Sequence, residues 1–250
     1  MNLIRNCLEP FNKVTLIDLD QVKLMNRTDL KFCLHRSQLP EILEAIQSYY
    51  SVLEINGETV FKYDNTYFDT PDNQMFICHQ NGKSNRFKIR IRNYVESNLN
   101  FLEIKLKNNK GRTIKKRVVK QEFIPEFTPT EINFLEKVTP FSSLQLEPKM
   151  QSYFNRFTLV DNELTQRVTI DMSPGFQNPE NKITLNNLVI IEIKQDKSSN
   201  PAMIIKILQD LKIRKQGFSK YCIGRSLLED KIKKNNFKPL LLKISKEYSN

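Results

Sequence analysis

Arg86, Lys88, Arg90 and Arg92 occupy every second position of the stretch SNRFKIRIRNY. In an extended strand such spacing sends all four cations to one face and Phe87, Ile89 and Ile91 to the other. Glu103, Lys105 and Lys107 repeat the parity in NFLEIKLK, and Lys115 with Arg117 repeat it in GRTIKKRV. Guanidinium groups grip phosphate oxygens in pairs and stay charged, whereas an ammonium acts as a mobile point charge. The chemistry this pattern suits is the holding of a polyanion. Alternation by itself also describes the wet face of an ordinary antiparallel sheet. A solvated face, however, intersperses both signs, and a row of four cations with no acid repels itself. Recurrence over three successive segments therefore predicts a shared cationic wall that an anion must compensate.

Across the 250 residues, 39 Lys and Arg stand against 28 Asp and Glu, a formal charge of +11. That excess fits nucleic acid, an anionic membrane surface or a phosphate-rich small molecule. A nucleic-acid interface needs an outward basic patch with stacking aromatics, and Phe87, Phe101 and Tyr153 mostly fall at the parity opposite to, or apart from, the cations. No specific nucleic-acid partner is therefore expected. With 39% hydrophobic and 10% aromatic residues the chain can pay the entropy of folding and is not a disordered one. The first fourteen residues contain no long apolar run, and no stretch approaches the roughly 20 apolar residues of a membrane helix, so the expectation is a soluble, cytoplasmic protein. Cys7, Cys33, Cys78 and Cys222 are scattered without metal-ligand spacing and read as reduced thiols. His35 and His79 lack partners for a ligand role.

Positioning the cations requires a sheet. Strands are predicted at Arg27 to His35, Lys62 to Asp69, in the three cationic segments, and at Lys149 to Leu159, Leu164 to Asp171 and Thr184 to Lys194, about eight in all. Helices are predicted over Gln38 to Tyr50, Asn73 to His79, Glu131 to Val138, Ala202 to Leu211 and Tyr221 to Leu228, with Ser37 as a cap of the first and Thr128 or Thr130 as a cap of the third. Asn108 to Gly111 reads as a hairpin turn with glycine at positive φ, and Ser173 to Asn181 reads as a loop. One domain spans 1–250: an N-terminal arm over 1–25, the strand-rich body over 26–228, and a Lys-rich tail over 229–250 that packs loosely or not at all. So many strands would lose their open edges by closing into a barrel. Since unpaired buried cations are costly, its interior must be wet and wide enough for an anion.

The order of several motifs carries a family resemblance. Arg27-x-Asp29-x-Lys31, Tyr67-Phe68-Asp69-Thr70-Pro71, Gly82 with Arg86-x-Lys88-x-Arg90-x-Arg92-x-Tyr94, Glu103-Ile104-Lys105, Arg167 in QRVTID, Glu192-Ile193-Lys194 and Ser219-Lys220-Tyr221 together resemble the VTC domain of polyphosphate polymerases. The resemblance runs from about Arg27 to Leu228. It implies an α+β fold, the eight-stranded antiparallel barrel of the triphosphate tunnel enzymes with flanking helices. It further implies transfer of the γ-phosphate of ATP to a growing polyphosphate chain, with Mn2+ or Mg2+ as cofactor.

Carried over by motif, Lys31, Arg90, Arg92, Lys105, Arg167 and Lys220 are expected to bind the phosphates. Arg27, Lys88, Lys115, Arg117, Arg156, Lys194 and Ser219 form a second rank. Glu192 is the expected metal ligand and Glu103 a further candidate, with a structural ion pair as the competing role of Glu103. Hydrolytic relatives begin with an ExExK strand, and Arg27 here replaces the first acid, which favours the polymerase branch. The implied partners are ATP and polyphosphate or triphosphate, with association through a separate membrane protein as a further option; no oligomeric state follows. Two other functions use the same residues: a tunnel-fold triphosphatase or nucleoside triphosphate phosphohydrolase, and a non-catalytic polyphosphate-binding module. A wall of like charges is relieved by its ligand, so saturating tripolyphosphate should raise the melting temperature through mass action on the native state. An unchanged melting curve would return the cations to an ordinary solvated face.

Overall fold

The alternation of apolar and charged residues dictates a sheet with one greasy and one cationic face, and the fold is built around that sheet. The structure is a computed structural model that describes residues 2–22, 27–196 and 201–248, with backbone alone for Asp20, Gln21 and Arg27. In chain order the elements are α1 (Asn2–Leu8), β1 (Asn12–Val14), α2 (Leu16–Gln21), β2 (Arg27–His35), α3 (Leu39–Ile46), β3 (Tyr50–Leu53), β4 (Phe61–Asp69) and α4 (Gln74–Gln80). They continue with β5 (Arg86–Tyr94), β6 (Leu99–Lys107), β7 (Thr113–Lys120), α5 (Pro129–Val138), β8 (Glu147–Asp161), β9 (Gln166–Gln177), β10 (Lys182–Thr184) and β11 (Leu188–Asp196). Three helices follow: α6 (Met203–Asp210), α7 (Lys220–Leu228) and α8 (Lys238–Glu247).

The eight predicted strands form one path, β2-β11-β9-β8-β4-β5-β6-β7, antiparallel at every step. Short β1, β3 and β10 are attached at its sides. The fold is thus α+β with an antiparallel sheet and flanking helices. Residues from all eight strands of the path line a single cavity, so the sheet is rolled. Among the described residues no ladder joins its end strands β2 and β7. The free edge of β2 is met by the segment before α7, through a bridge from Phe32 to Lys215 and the Gln216 amide donating to the Lys31 carbonyl.

Hydrophobic burial decides which way the cations point. Phe32, Leu34, Phe157, Leu159, Val168, Ile170, Ile191 and Ile193 are buried on the convex face under α1, α3 and α6. Ile89, Ile91, Leu102 and Ile104 are buried with Leu135 of α5 and Met75 of α4. Each fully buried side chain of this kind contributes about 1.5–3 kcal/mol, and a slip of one residue would turn every one of them outward. The register that buries the apolar set forces Lys31, Arg90, Lys105 and Glu192 into the concave face. Helix α5 begins at Thr128, whose side chain accepts from the Glu131 amide while Glu131 accepts from the Thr128 amide, a reciprocal cap. Glu131 also receives Lys120 of β7 at 2.9 Å, a buried pair that fixes α5 to the sheet.

Three expectations are corrected. The tail after Leu228 does not pack loosely: Leu240, Ile244 and Tyr248 are buried, and the Tyr248 hydroxyl donates to the Cys33 carbonyl at 3.2 Å. Their spacing of four places them on one side of a helix, a stripe obscured by the surrounding lysines. Second, the stretch read as a loop from Ser173 is largely strand. Strand β9 continues to Gln177 and pairs with β10, with Ser173 at φ 49 beside an irregularity in the β8 ladder. A bulge there lets Pro174 and Gly175 remain in the sheet. Third, His35 rather than Ser37 caps the turn before α3. Gly111 has φ 74, as the hairpin between β6 and β7 requires.

Helix α7 lies close on the sheet at Gly224. A Cβ there would stand 2.4 Å from the Met150 sulfur and 2.5 Å from the Phe176 ring. The Gly224→Ala variant should therefore lose about 1–3 kcal/mol of stability by overpacking, measured by denaturant unfolding; an unaltered midpoint would contradict so tight an approach.

Candidate phosphate-binding cavity

The rolled sheet encloses a cavity of about 230 Å³. Its lining includes nine cations, Lys31, Lys88, Arg90, Arg92, Lys105, Lys115, Arg156, Lys194 and Lys220, against four carboxylates, Asp29, Glu103, Asp171 and Glu192. Parity and register produce this ring. On one wall Arg90 stands opposite Glu103 and Tyr67, Lys88 opposite Lys105, and Lys105 opposite Lys115. On the other, Glu192 stands opposite Lys31 on one side, and Arg156 stands opposite Asp171. The remaining face is supplied by Phe218, Ser219, Lys220 and Tyr221 at the start of α7.

Two carboxylates hold cations in place. Arg90 donates to Glu103 from Nε at 2.9 Å and from Nη2 at 2.6 Å, and to the Tyr67 hydroxyl from Nη1 at 3.2 Å. Lys115 also pairs with Glu103. Across the cavity, Arg156 donates to both oxygens of Asp171 at 2.5 and 2.9 Å, and Lys220 pairs with the same carboxylate. Burial alone would raise the carboxyls of Glu103 and Asp171, but Arg90, Arg92 and Lys115 in the first case, and Arg156 and Lys220 in the second, hold both well below the usual range. Arg92 is fixed differently: its Nε donates to Asn65 at 2.9 Å, and its guanidinium lies over the Tyr63 and Tyr94 rings.

Glu192 is the less committed acid. Its ion pairs to Lys31 and Lys194 are long, 3.6 and 3.7 Å. Burial would raise its carboxyl, yet Lys31, Lys194, Arg156 and Lys105 together keep it well below its ordinary value. A hard divalent cation bound mainly through phosphate oxygens needs only one or two protein carboxylates, and an ionised Glu192 facing the cavity fits that demand. No cluster of three potential ligand side chains occurs among the described residues, so they alone offer no complete cage. Glu103, engaged by Arg90 and Lys115, occupies the structural ion-pair position instead.

Burial and neighbouring cations perturb the lysines. Lys88, which donates to the Ser219 hydroxyl at 3.1 Å, is brought down to about 8, chiefly by burial. Lys220 also falls to about 8, again chiefly by burial, partly offset by Asp171. Lys105 drops well below its ordinary value because Arg90 stands nearby and because it is buried. Lys31 donates to the Phe218 carbonyl at 3.1 Å, which ties β2 to the approach of α7.

Of the first-rank residues, Lys31, Arg90, Arg92, Lys105 and Lys220 therefore converge on one cavity. Arg167 does not line it: it sits opposite Lys194 at the far end of the row Arg167, Thr169, Asp171 on β9. Of the second rank, Lys88, Lys115, Arg156, Lys194 and Ser219 line the cavity, Ser219 also accepting from the Cys222 amide as the cap of α7. Arg117 is exposed and stacked on Phe101, 4.5 Å from its centroid. The Arg27 side chain lies outside the described residues. Arg86 and Lys107 form the terminal pair of the β5–β6 ladder, beyond the cavity.

The cavity residues missed by sequence reasoning include Asp171, Asp29, Tyr67 and Tyr221. Asp171 shares the parity of Arg167 and Thr169 in QRVTID, a signal visible in the sequence. The expectation that aromatics avoid the cations is corrected too, since Phe101, Tyr63, Tyr94 and Phe154 carry Arg117, Arg92, Arg156 or Lys220 over their rings. Tyr63 and Phe154 come from β4 and β8, while Tyr94 and Phe101 share the parity of the cations on β5 and β6 themselves.

Several solved structures resemble this one. A protein from Bacillus halodurans assigned as an adenylate cyclase aligns with a TM-score of 0.51 at 15% identity, over 78% of this chain and 96% of that one. A Vibrio parahaemolyticus protein with the same assignment gives a TM-score of 0.47 at 12% identity, over 80% and 99% of the two chains. The Hippeastrum protein HpAC1, assigned as an adenylyl cyclase and found to have a dominant triphosphatase activity, gives 0.48 at 13% identity, over 82% and 97%. At these identities the likeness to the Bacillus protein shows a shared fold. No curated protein sequence matches the chain. Residues 26–229 match the family model of the VTC domain, a stretch that includes every strand lining the cavity, and the protein belongs to the VTC domain family.

Proposed function

We propose that this protein is a polyphosphate polymerase that transfers the γ-phosphoryl group of ATP to the end of a polyphosphate chain inside the rolled sheet. The observation that carries the reading is the lining itself, nine cations and four carboxylates drawn from seven of the eight strands of the path and from the start of α7, with β4 adding Tyr67. Phosphoryl transfer asks a protein for in-line positioning and charge neutralisation rather than covalent chemistry, and a concave, partly desolvated set of cations supplies both. Arg90 and Arg156, already oriented by Glu103 and Asp171, present rigid forks to phosphate oxygens. Lys31, Lys88, Lys105 and Lys220 add charge where the chain lies. Glu192 would hold a divalent ion, Mn2+ or Mg2+, which would supply further neutralisation of phosphate charge. A terminal oxygen of the chain then displaces ADP from the γ-phosphorus. With water as acceptor the same residues would hydrolyse ATP.

Incubation with ATP and Mn2+, with products resolved on a gel, tests the reading: a ladder of polyphosphate is expected, and free phosphate without chains would replace polymerase by hydrolase. Glu192→Ala should reduce turnover at least about a hundredfold if it holds the metal, whereas full activity would remove that assignment.

The two lysines near 8 also set a pH dependence. Both are discharged in the free protein as pH rises past that value, and bound phosphate holds them charged, so binding must take up protons there. Affinity for tripolyphosphate should fall above pH 8 by up to about tenfold per pH unit for each lysine. Calorimetric titration checks this, with Lys88→Met and Lys220→Met each expected to flatten the profile; a constant affinity to pH 9.5 would contradict it.

A further inference from the structure

The motif Tyr67-Phe68-Asp69-Thr70-Pro71 contributes one cavity residue, Tyr67, yet its most heavily bonded member is Asp69, which lies outside the cavity and is fully buried. One Asp69 oxygen accepts from the amides of Thr70 and Met75 at 2.8 and 2.9 Å; the other accepts from the Phe76 amide at 2.9 Å and from the Tyr221 hydroxyl at 2.5 Å. This single carboxylate joins the end of β4, the first turn of α4 and the first turn of α7. The Tyr221 oxygen in turn accepts from Arg225 Nη1 at 3.0 Å, and the same Nη1 donates to Asn73 at 2.8 Å. Arg225 is clamped by both Glu229 oxygens at 2.5 Å. Burial and the neighbouring Asp69 raise the Tyr221 phenol well above its ordinary value, so it remains a donor.

The opposite face of the same ring reaches the site. Tyr221 stacks on Tyr67 with centroids 5.3 Å apart, and the Tyr67 hydroxyl accepts from Arg90. Lys220 and Ser219, immediately before Tyr221, line the cavity, where Lys88 donates to Ser219. A ring alone could fill this space; a hydroxyl hydrogen-bonded on both sides fixes rotation and height as well.

We propose that Tyr221, held by Asp69 and Arg225, is a positioning residue that fixes the first turn of α7 so that Lys220 and Ser219 meet the phosphate chain at a set place relative to Arg90. The proposal rests on reading the cavity as a phosphate site; the Tyr221 hydroxyl, bonded to Asp69 and Arg225, acts through Lys220 rather than by contact with the ligand. Tyr221→Phe keeps the ring against Tyr67 and removes the hydroxyl. It should weaken inorganic tripolyphosphate binding, measured calorimetrically, about five- to tenfold in the otherwise native protein, and less than about twofold when Lys220 is already Met, because coupled neighbours are not additive. In the absence of ligand, amide hydrogen exchange at Cys222 and Ile223 should accelerate while that of Ile91 in β5 is unchanged. Equal losses of binding in both backgrounds, uniform acceleration at all three amides, or a variant that fails to fold would overturn the proposal, since each marks the hydroxyl as support for the fold as a whole. Exchange needs no ligand: it decides the positioning role even if the native protein binds no tripolyphosphate, a result that would instead sink the proposed function.

Discussion

Like charge gathered out of water is the constraint on which the rest of this structure depends. Nine cations share one cavity with four carboxylates, and removing such groups from solvent costs several kcal/mol each unless a partner is supplied. The protein supplies it in part, with Glu103 and Asp171 each shared between a guanidinium and an ammonium. The rest of the penalty appears as weakened ammonium groups at Lys88, Lys105 and Lys220. A site left short of negative charge in this way is selective without shape: only a ligand bringing several closely spaced anionic groups can relieve all of it at once.

What holds the cations in that position is apolar. Ile89, Ile91, Leu102 and Ile104 are buried beneath α5 and α4, and Val168, Ile170, Ile191 and Ile193 beneath α1, α3 and α6. The period-two pattern means that each gain on the convex face is coupled to one charged residue on the concave face. Stability and binding are thus set by opposite halves of the same strands.

This coupling explains how much was legible in the sequence. Parity places Arg90, Arg92 and Lys105 on one shared face because it is a local property, and the strands and most helices follow from the same periodicity, whereas Lys31 and Glu192 are singled out by the family resemblance. Parity says nothing of where a row meets the cavity, so Arg167 and Arg117 carry the right pattern at positions outside it. It is equally silent on pairing between distant segments, and hence on Asp171 as the partner of Arg156 and Lys220, or on Asp69 as the anchor of Tyr221. The α8 stripe was hidden by composition, since Leu240, Ile244 and Tyr248 are spaced among lysines that suggest a solvated tail.

The packing of α8 bears on how the chain comes to be folded. Strand β2 carries Lys31, pairs along its length with β11 alone among the described strands, and receives the Tyr248 hydroxyl on the Cys33 carbonyl, a contact between residues 215 positions apart. Loop-closure entropy makes such pairings slow relative to the local meander of β4 to β7. Of the strands on the path β2 is made first and its partner β11 last, so β2 is the one that must wait. Until then the rows on β5, β6 and β7 form an open basic sheet, without the wall that carries Asp171 and Glu192.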